Sequence, residues 1–145
     1  MTEFSLIMGS DHAGFELKTK IIKYLKAKGI TAYDAGTYST DSCDYPVIAQ
    51  NVSQRVANKE FEKAILICGT GIGMSIAANK IKGIRAAVVS DTCSAKMSRK
   101  HNNANVLCLG ARIVGEELAK DIVDIWLNAS FEAGRHEKRI EMIEN

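Results

Sequence analysis

The sequence predicts one α/β domain, a three-layer α/β/α sandwich built around a five-stranded parallel sheet of the Rossmann-like kind. Short apolar runs alternate with longer amphipathic stretches along the 145 residues, as expected for parallel strands joined by helices that cover both faces. A chain of this length suits a single domain, and its one proline and scattered glycines leave no flexible linker. We therefore treat residues 1–145 as one domain.

The first half of the chain predicts three strands and two helices. The first helix places Leu17, Ile21 and Leu25 on one face and stops at Gly29. The second helix carries Pro46 in its first turn, where proline is tolerated. In chain order the elements are a strand at 4–9, a helix at 14–29, a strand at 30–36, a helix at 45–58 and a strand at 63–69.

The second half continues the alternation and then closes with two helices. The apolar runs GIRAAVVSD and ANVLCLG predict the fourth and fifth strands. The last helix, at about 131–144, is expected at a subunit interface. The elements are a helix at 73–81, a strand at 83–91, a short helix at 93–100, a strand at 104–110 and helices at about 112–128 and 131–144.

The predicted topology indicates which loops carry function, because ligands of open parallel sheets bind outside the carboxyl ends of the strands. Glycine and polar residues gather in those loops. They are residues 10–14, 36–45, 68–73, 90–92 and 110–112.

A glycine-rich turn after the third strand, in the stretch ILICGTGIGMSI, is built for an anion. Glycines let backbone N–H groups approach a ligand, and the helix that follows adds its positive dipole end. A dinucleotide fingerprint would need glycine where Met74 stands, and no G-K-[ST] ending marks a P-loop. The same dipole favours the thiolate of Cys68, as a base or nucleophile, although a buried strand-end cysteine remains the alternative.

Further polar residues are expected at the same edge. Asp11 and His12 follow the first strand, where Asp11 also suits an N-cap and His12 suits an anion or hydroxyl contact. Arg135 and Arg139 are four residues apart, on one helix face, which suits a phosphate or simply a solvated basic surface. The predicted edge also contains Tyr45 and Arg112.

Composition excludes several classes of function. A formal charge of +2 gives no basis for nucleic-acid binding, and no apolar run is long enough for a membrane helix. The N-terminus does not resemble a signal peptide, so we expect a soluble, cytoplasmic protein. None of the four cysteines forms a C-x-x-C pair, and Cys108 is expected to be a small buried hydrophobe. No cluster of metal ligands is evident, so we expect no metal.

The predicted chemistry is that of an aldose–ketose isomerase acting on a sugar phosphate. Such an enzyme needs a phosphate site, a base beside a carbonyl, donors that stabilise an enediolate and groups that move hydroxyl protons. The thiolate, the glycine turn, the arginines and the imidazoles would supply these parts.

The motifs GSDHAG, DYP, CGTGIGMSIAANK, HNNANVLCLGARI and FEAGRHEKRI resemble the B-type ribose-5-phosphate isomerases, in the wider family that includes the galactose-6-phosphate isomerase subunits. The resemblance covers nearly the whole chain. It implies a dimer or dimer of dimers that interconverts ribose 5-phosphate and ribulose 5-phosphate in the pentose phosphate pathway without a cofactor. Six-carbon sugar phosphates, such as allose or galactose 6-phosphate, remain alternative substrates.

The resemblance also assigns roles to residues of this chain. Cys68 would be the catalytic base, and His101 would open the furanose ring with help from Asp11 and Thr70. Asn102 and Tyr45 would contact sugar hydroxyls. The enediolate contacts would be Gly69, Thr70, Gly71, Ile72 and Gly73, and the phosphate contacts would be His12, Arg112, Arg135 and Arg139.

Topology adds an expectation about the subunits. His101 precedes the fifth strand, at the amino ends of the strands, whereas Cys68 lies at the carboxyl end of the third. Because five residues of strand span about 16 Å, the two side chains should meet only if active sites are shared between subunits. A nucleotide-binding module and a partner-dependent subunit remain the rival functions.

Overall fold

A computed structural model describes residues 5–145, and position 4 of the first predicted strand lies outside the described residues. Five parallel strands form one sheet in the order β2-β1-β3-β5-β4. This confirms the predicted five-stranded parallel sheet. The strands are β1 (Leu6–Ser10), β2 (Ala32–Asp34), β3 (Lys63–Cys68), β4 (Ala86–Val88) and β5 (Val106–Gly110).

The strands differ in length according to their place in the sheet. Each residue of β1 and β5 is buried, as are all but the first of β3. The edge strands β2 and β4 have only three residues each, so the predictions of strands at 30–36 and 83–91 were too long. An edge strand has a neighbour on one side only, and its flanking residues here belong to loops.

Six helices follow the strands, close to the predicted positions. The largest difference is at α5, which begins at Glu116 and not near 112, because residues 110–114 form a turn held by the backbone bonds from Ile113 N and Val114 N to Gly110 O. Likewise α6 begins at Arg135 and not at 131, since Ala133 and Gly134 both have a φ of +58°. The helices are α1 (Phe15–Ala27), α2 (Tyr45–Ala57), α3 (Ile72–Asn79), α4 (Thr92–Lys100), α5 (Glu116–Asn128) and α6 (Arg135–Glu144).

Two apolar cores, one on each face of the sheet, produce the three layers. Side chains of α1, α4 and α5 pack on one face, and side chains of α2 and α3 pack on the other. The C-terminal end of α6 is tied to the body by an ion pair between Glu144 and Arg85, with Oε1 and Nη1 2.6 Å apart. Within residues 5–145, no helix has the length and apolar character needed to cross a membrane.

A fully buried lysine connects α1 with the loop that follows β2. Lys18 has no exposed side-chain surface, and its Nζ donates to the Asp34 carboxylate and, at 2.6 Å, to the carbonyl of Thr37. The aromatic rings of Phe15 and Tyr38 lie 5.5 and 5.4 Å from the ammonium group. A buried ammonium is stable only when it is paired and hydrogen-bonded in this way. Lys18 therefore orders the start of the loop that leads to α2.

We expect Lys18→Met to lower the free energy of unfolding by about 1–3 kcal/mol, because the Thr37 carbonyl loses its ammonium donor and the Asp34 carboxylate, which keeps the bond from Gly36 N, loses its cation. The matched control is Lys20→Met on the same helix. Lys20 is mostly exposed and pairs with Glu116 on the surface, so its loss should cost less than about 1 kcal/mol. Urea denaturation measures both. Equal losses in the two variants would contradict a structural role for the buried ammonium.

Candidate active site

A pocket of about 460 Å³ opens at the carboxyl edge of the sheet, where the predicted functional loops meet. It lies between the ends of β1 and β3, the start of α2 and the turn that follows β5. Eight of the predicted site residues line it together with Ile76, which was not predicted. The lining residues are Asp11, Tyr45, Cys68, Gly69, Thr70, Ile72, Gly73, Ile76 and Arg112.

The thiol of Cys68 lies directly beneath the glycine turn. Cys68 is the last residue of β3, and its Sγ accepts a hydrogen bond from Gly71 N at 3.1 Å. The first turn of α3 follows at once, and the first N–H groups of a helix have no partner within it. A hydrogen-bond donor and the positive end of a helix dipole thus both face the sulfur.

The turn after β3 is packed against the turn after β5. Gly71 has a φ of +81°, and a Cβ there would lie 2.9 Å from the carbonyl carbon of Leu109. A Cβ on Gly110 would lie 2.6 Å from the carbonyl carbon of Thr70. Both positions therefore need glycine for the close approach of the two backbones, and Gly71 needs it for its conformation as well.

The packing of these two turns also places Arg112 at the pocket. Ala111 N donates to Cys68 O at 2.8 Å, and Arg112 N donates to Gly69 O at 3.0 Å. The guanidinium group lies against Gly69, whose Cβ, if present, would be 3.4 Å from Nη1. A cation therefore lies beside the glycine turn, as a phosphate or a sugar oxyanion would require.

Asp11 both shapes the start of α1 and lines the pocket. Its Oδ1 accepts a hydrogen bond from Gly14 N at 3.1 Å. The N-cap position of α1 is occupied by Gly14, so Asp11 is not the N-cap residue itself but bonds to the backbone of that residue. The side chain is nevertheless at the pocket wall and only 7% of Asp11 is exposed. His12, the next residue, accepts a hydrogen bond from Cys43 N at its Nδ1, at 3.2 Å.

The Tyr45 ring packs against the first turn of α3. A Cβ on Gly73 would lie 2.5–2.9 Å from the phenol ring, so the ring occupies the space that a side chain at residue 73 would take. Tyr45 is the first residue of α2, and the ring forms part of the pocket wall. Gly73 is therefore required for the contact between these two helix starts.

The four cysteines have different surroundings, and all are free thiols. Burial raises the pKa of Cys108 above its ordinary value, and the neighbouring Cys68 acts in the same direction. Cys108 lies among apolar side chains, which confirms its predicted role as a small buried hydrophobe. Cys93 is exposed and Cys43 is half-buried. Only Cys68 is both part of the pocket wall and bonded to the glycine turn.

The remaining predicted site residues form a second group, away from the pocket. His101 caps the C-terminus of α4, and its ring stacks on that of His136 with centroids 4.2 Å apart and planes inclined by 15°. The backbone carbonyl of Asn102 accepts from Arg85 Nε, just before β4 begins. Arg135 and Arg139 lie on α6, whose start is held near α4 by the bond from Glu132 N to Lys100 O. Within one chain, this group lies at the amino ends of the strands.

Two polar residues of the second group were not identified from the sequence. Glu132 and His136 lie beside His101, with Glu132 Oε1 3.7 Å from His101 Nε2 and 3.6 Å from His136 Nε2. Among residues 5–145 this is the one set of three side chains whose donor atoms are close enough to share a metal ion. The spacing of Glu132 and His136 was visible in the sequence, but their proximity to His101 was not.

Comparison with known proteins supports the chemistry that the geometry suggests. A family model described as Ribose/Galactose Isomerase matches residues 6–143. The chain is 52% identical over 138 residues to ribose-5-phosphate isomerase B of Escherichia coli K12, covering 95% of this chain and 93% of that protein. It is 46% identical to a D-erythrulose-4-phosphate isomerase of Pectobacterium atrosepticum, covering 96% and 92%.

The solved structures agree with the same assignment. The crystal structure of ribose-5-phosphate isomerase B from Mycoplasma genitalium with bound ribulose-5-phosphate matches with a TM-score of 0.93 and 43% identity, covering 99% of this chain and 96% of that one. Sequence, fold and pocket geometry thus point the same way, and the chain belongs to the ribose/galactose isomerase family.

Proposed function

We propose that the chain interconverts D-ribose 5-phosphate and D-ribulose 5-phosphate. The observation that carries this proposal is the thiol of Cys68, bonded to Gly71 N–H at 3.1 Å in a pocket that also holds a carboxylate and a guanidinium group. The E. coli relative acts as a ribose-5-phosphate isomerase by its name, and the M. genitalium relative binds the ketose product. The reaction would belong to the pentose phosphate pathway, in the cytoplasm.

The proton transfer follows from the position of the thiolate. Cys68 removes the proton from C2 of the open-chain aldose, and the electron pair of that C–H bond forms the C1–C2 double bond of an enediolate. The proton of the C2 hydroxyl passes to the C1 oxygen. Return of the first proton from Cys68 to C1, with the C2 oxygen now forming the carbonyl, gives the ketose. The N–H groups of the glycine turn, residues 69–73, stabilise the negative charge of the intermediate.

Ring opening precedes this step. The bond between C1 and the ring oxygen breaks as one group takes the C1 hydroxyl proton and another protonates the ring oxygen. We assign the acid to His101, with Asp11 and Thr70 as helpers, and contacts with the sugar hydroxyls to Tyr45 and Asn102. Asp11 and Thr70 line the pocket of their own chain, whereas His101 of that chain lies away from the pocket. The imidazole that acts with them would therefore belong to another copy of the chain.

The phosphate needs several cations, and we assign it to His12, Arg112, Arg135 and Arg139. Arg112 is fixed against the glycine turn, whereas the two arginines of α6 belong to the second group of residues. A guanidinium fork suits phosphate geometry, and two of them on successive turns of one helix face bind the same dianion.

Shared active sites would unite the two groups. A second copy of the chain, related by a two-fold axis, would place its His101, Asn102 and α6 over the pocket of the first. Exposed apolar side chains surround the glycine turn and support such a contact. They are Ile72, Ile76, Val88 and Ile113, which are 53%, 58%, 47% and 60% exposed. We therefore propose a homodimer or a dimer of dimers, with α6 at the interface.

The purified chain alone should convert ribose 5-phosphate to ribulose 5-phosphate, as measured by the absorbance of the ketose or by a coupled assay. Allose 6-phosphate, galactose 6-phosphate and erythrulose 4-phosphate are assayed beside it. If the enzyme converts one of those sugar phosphates faster than ribose 5-phosphate, that sugar phosphate is the preferred substrate. Activity that needs a second, different chain would indicate a partner-dependent subunit, and calorimetric binding of NAD or ATP would indicate a nucleotide module.

Replacement of Cys68 by alanine should lower kcat by at least about 100-fold, the low end for loss of a general base, with little change in substrate binding. Cys68→Ser should not restore the rate, since a hydroxyl is a far weaker acid. The matched control is Cys93→Ala, which removes an exposed thiol and should leave kcat unchanged. Retention of more than a tenth of the activity by Cys68→Ala would rule out the thiolate mechanism.

Mixing two inactive variants tests the shared site. Cys68→Ala and His101→Ala are unfolded and refolded together in equal amounts, and each is also refolded alone. If sites are shared, half of the dimers are mixed and each mixed dimer has one intact site, so about a quarter of the wild-type activity returns.

The control is a mixture of Cys68→Ala with Asp11→Ala, two residues of one pocket. Each site in that mixture carries at least one lesion, so no activity should return. Mixed dimers of the first pair, verified by mass spectrometry, that also stay inactive would show that His101 acts within its own chain or not at all.

A further inference from the structure

Three side chains at the start of α6 and the end of α4 place their donor atoms close together. The carboxylate oxygen Oε1 of Glu132 lies 3.7 Å from Nε2 of His101 and 3.6 Å from Nε2 of His136. All three donor atoms lie within 4.8 Å of one another. Two imidazoles and one carboxylate are the ligand set of many three-ligand zinc sites.

The separations fit ligation better than hydrogen bonding. A hydrogen bond between imidazole and carboxylate would bring the atoms to about 2.7–3.2 Å, so the observed separations are too long for one. Two ligands bound to one ion at about 2.1 Å lie about 3.4 Å apart at a tetrahedral angle, and about 3.6 Å apart at 120°. The distance to His136 falls in this range, and the distance to His101 is about 0.1 Å longer. Because a metal–nitrogen bond lies in the plane of the imidazole, the half-exposed His101 ring has to turn out of its stack on His136 to bind the same ion.

The backbone holds this cluster together. Glu132 N donates to the carbonyl of Lys100 at 3.0 Å, which fixes the carboxylate beside the α4 C-cap at His101. His136 is 8% exposed, and its ring stacks on His101. The backbone therefore brings the three residues together, and the half-exposed side chains of His101 and Glu132 can turn toward a ligand.

The charges around the cluster are mostly positive. Arg135 and Arg139 lie on the same helix as His136 and repel a cation. Only a metal with strong affinity for nitrogen ligands is therefore expected here.

We propose that His101, Glu132 and His136 bind a divalent transition-metal ion of the zinc type, and that the bound ion inhibits the enzyme. The nitrogen-rich donor set excludes Mg²⁺ and Ca²⁺, which prefer oxygen ligands. Inhibition follows because the metal occupies the His101 nitrogen that must carry the proton for the ring oxygen. The effect on activity rests on the proposed function, whereas metal binding does not.

Cobalt binding tests the site directly. Untagged protein is titrated with Co²⁺, and its visible absorption reports four-coordinate ligation. We expect one ion per chain for the wild type, and binding at least about 10-fold weaker in Glu132→Gln and in His136→Gln. The matched control is Glu137→Gln, also on α6 and exposed, which should bind as the wild type. Zn²⁺ should displace the cobalt, and Mg²⁺ should not.

Two outcomes would overturn the assignment. One is binding of cobalt that is equal in all variants or absent from the wild type. The other is the near-ultraviolet charge-transfer absorption of a cobalt–thiolate bond, which would place the metal on a cysteine. Thermal melting of the metal-free variants checks that they are folded, and Glu132→Gln changes a half-exposed side chain, so its fold should be intact.

Inhibition is measured separately, with ribose 5-phosphate as substrate. Zn²⁺ should inhibit the wild type and a chelator should restore the rate, while Glu132→Gln should need at least about 10-fold more Zn²⁺. If the chain binds cobalt at the cluster but has no isomerase activity, the metal-site proposal stands and the proposed function is refuted. If the chain is an active isomerase that binds Co²⁺ at the cluster but keeps its rate in Zn²⁺, the inhibitory role is refuted.

Discussion

The direct contact between two backbone turns is the constraint on which the site depends. The turn after β3 and the turn after β5 approach so closely that a Cβ on Gly71 or Gly110 would overlap the opposite backbone. Because β3 and β5 are paired in parallel, with Cys68 opposite Gly110, the two turns leave the sheet side by side. The thiol, its N–H donor and the backbone of Arg112 are consequently fixed relative to one another, as a reaction through a short-lived anion demands.

The direction of the strands divides the functional residues into two groups. Asp11 and Arg112, in loops that follow strands, lie at the carboxyl edge of the sheet, as does Cys68 at the end of β3. His101 and Asn102, which precede β5, lie at the amino edge together with α6. A parallel sheet cannot bring its two edges together, so a site that uses both groups requires two copies of the chain. The exposed apolar side chains around the glycine turn are consistent with this requirement.

The cluster around His101 connects the proposed catalysis with the proposed inhibition by a metal ion. His101 is the proposed acid for ring opening, and it also lies beside Glu132 and stacks on His136. A nitrogen atom that binds a metal cannot donate or accept a proton at the same time. The proposed metal site and the proposed active site therefore compete for one side chain, which links metal availability to the activity of the enzyme.

The sequence by itself determined the order of the elements, the parallel sheet and the place of Cys68 beside a glycine turn, because periodicity, glycine and chain order are local properties. The tertiary structure decided what depends on distant segments. Only the fold showed that β2 and β4 are short edge strands, that Lys18 is buried against Asp34 and Thr37, and that Glu132 and His136 meet His101. The physical reason is that pairing, burial and convergence of side chains arise from packing between segments far apart in the chain.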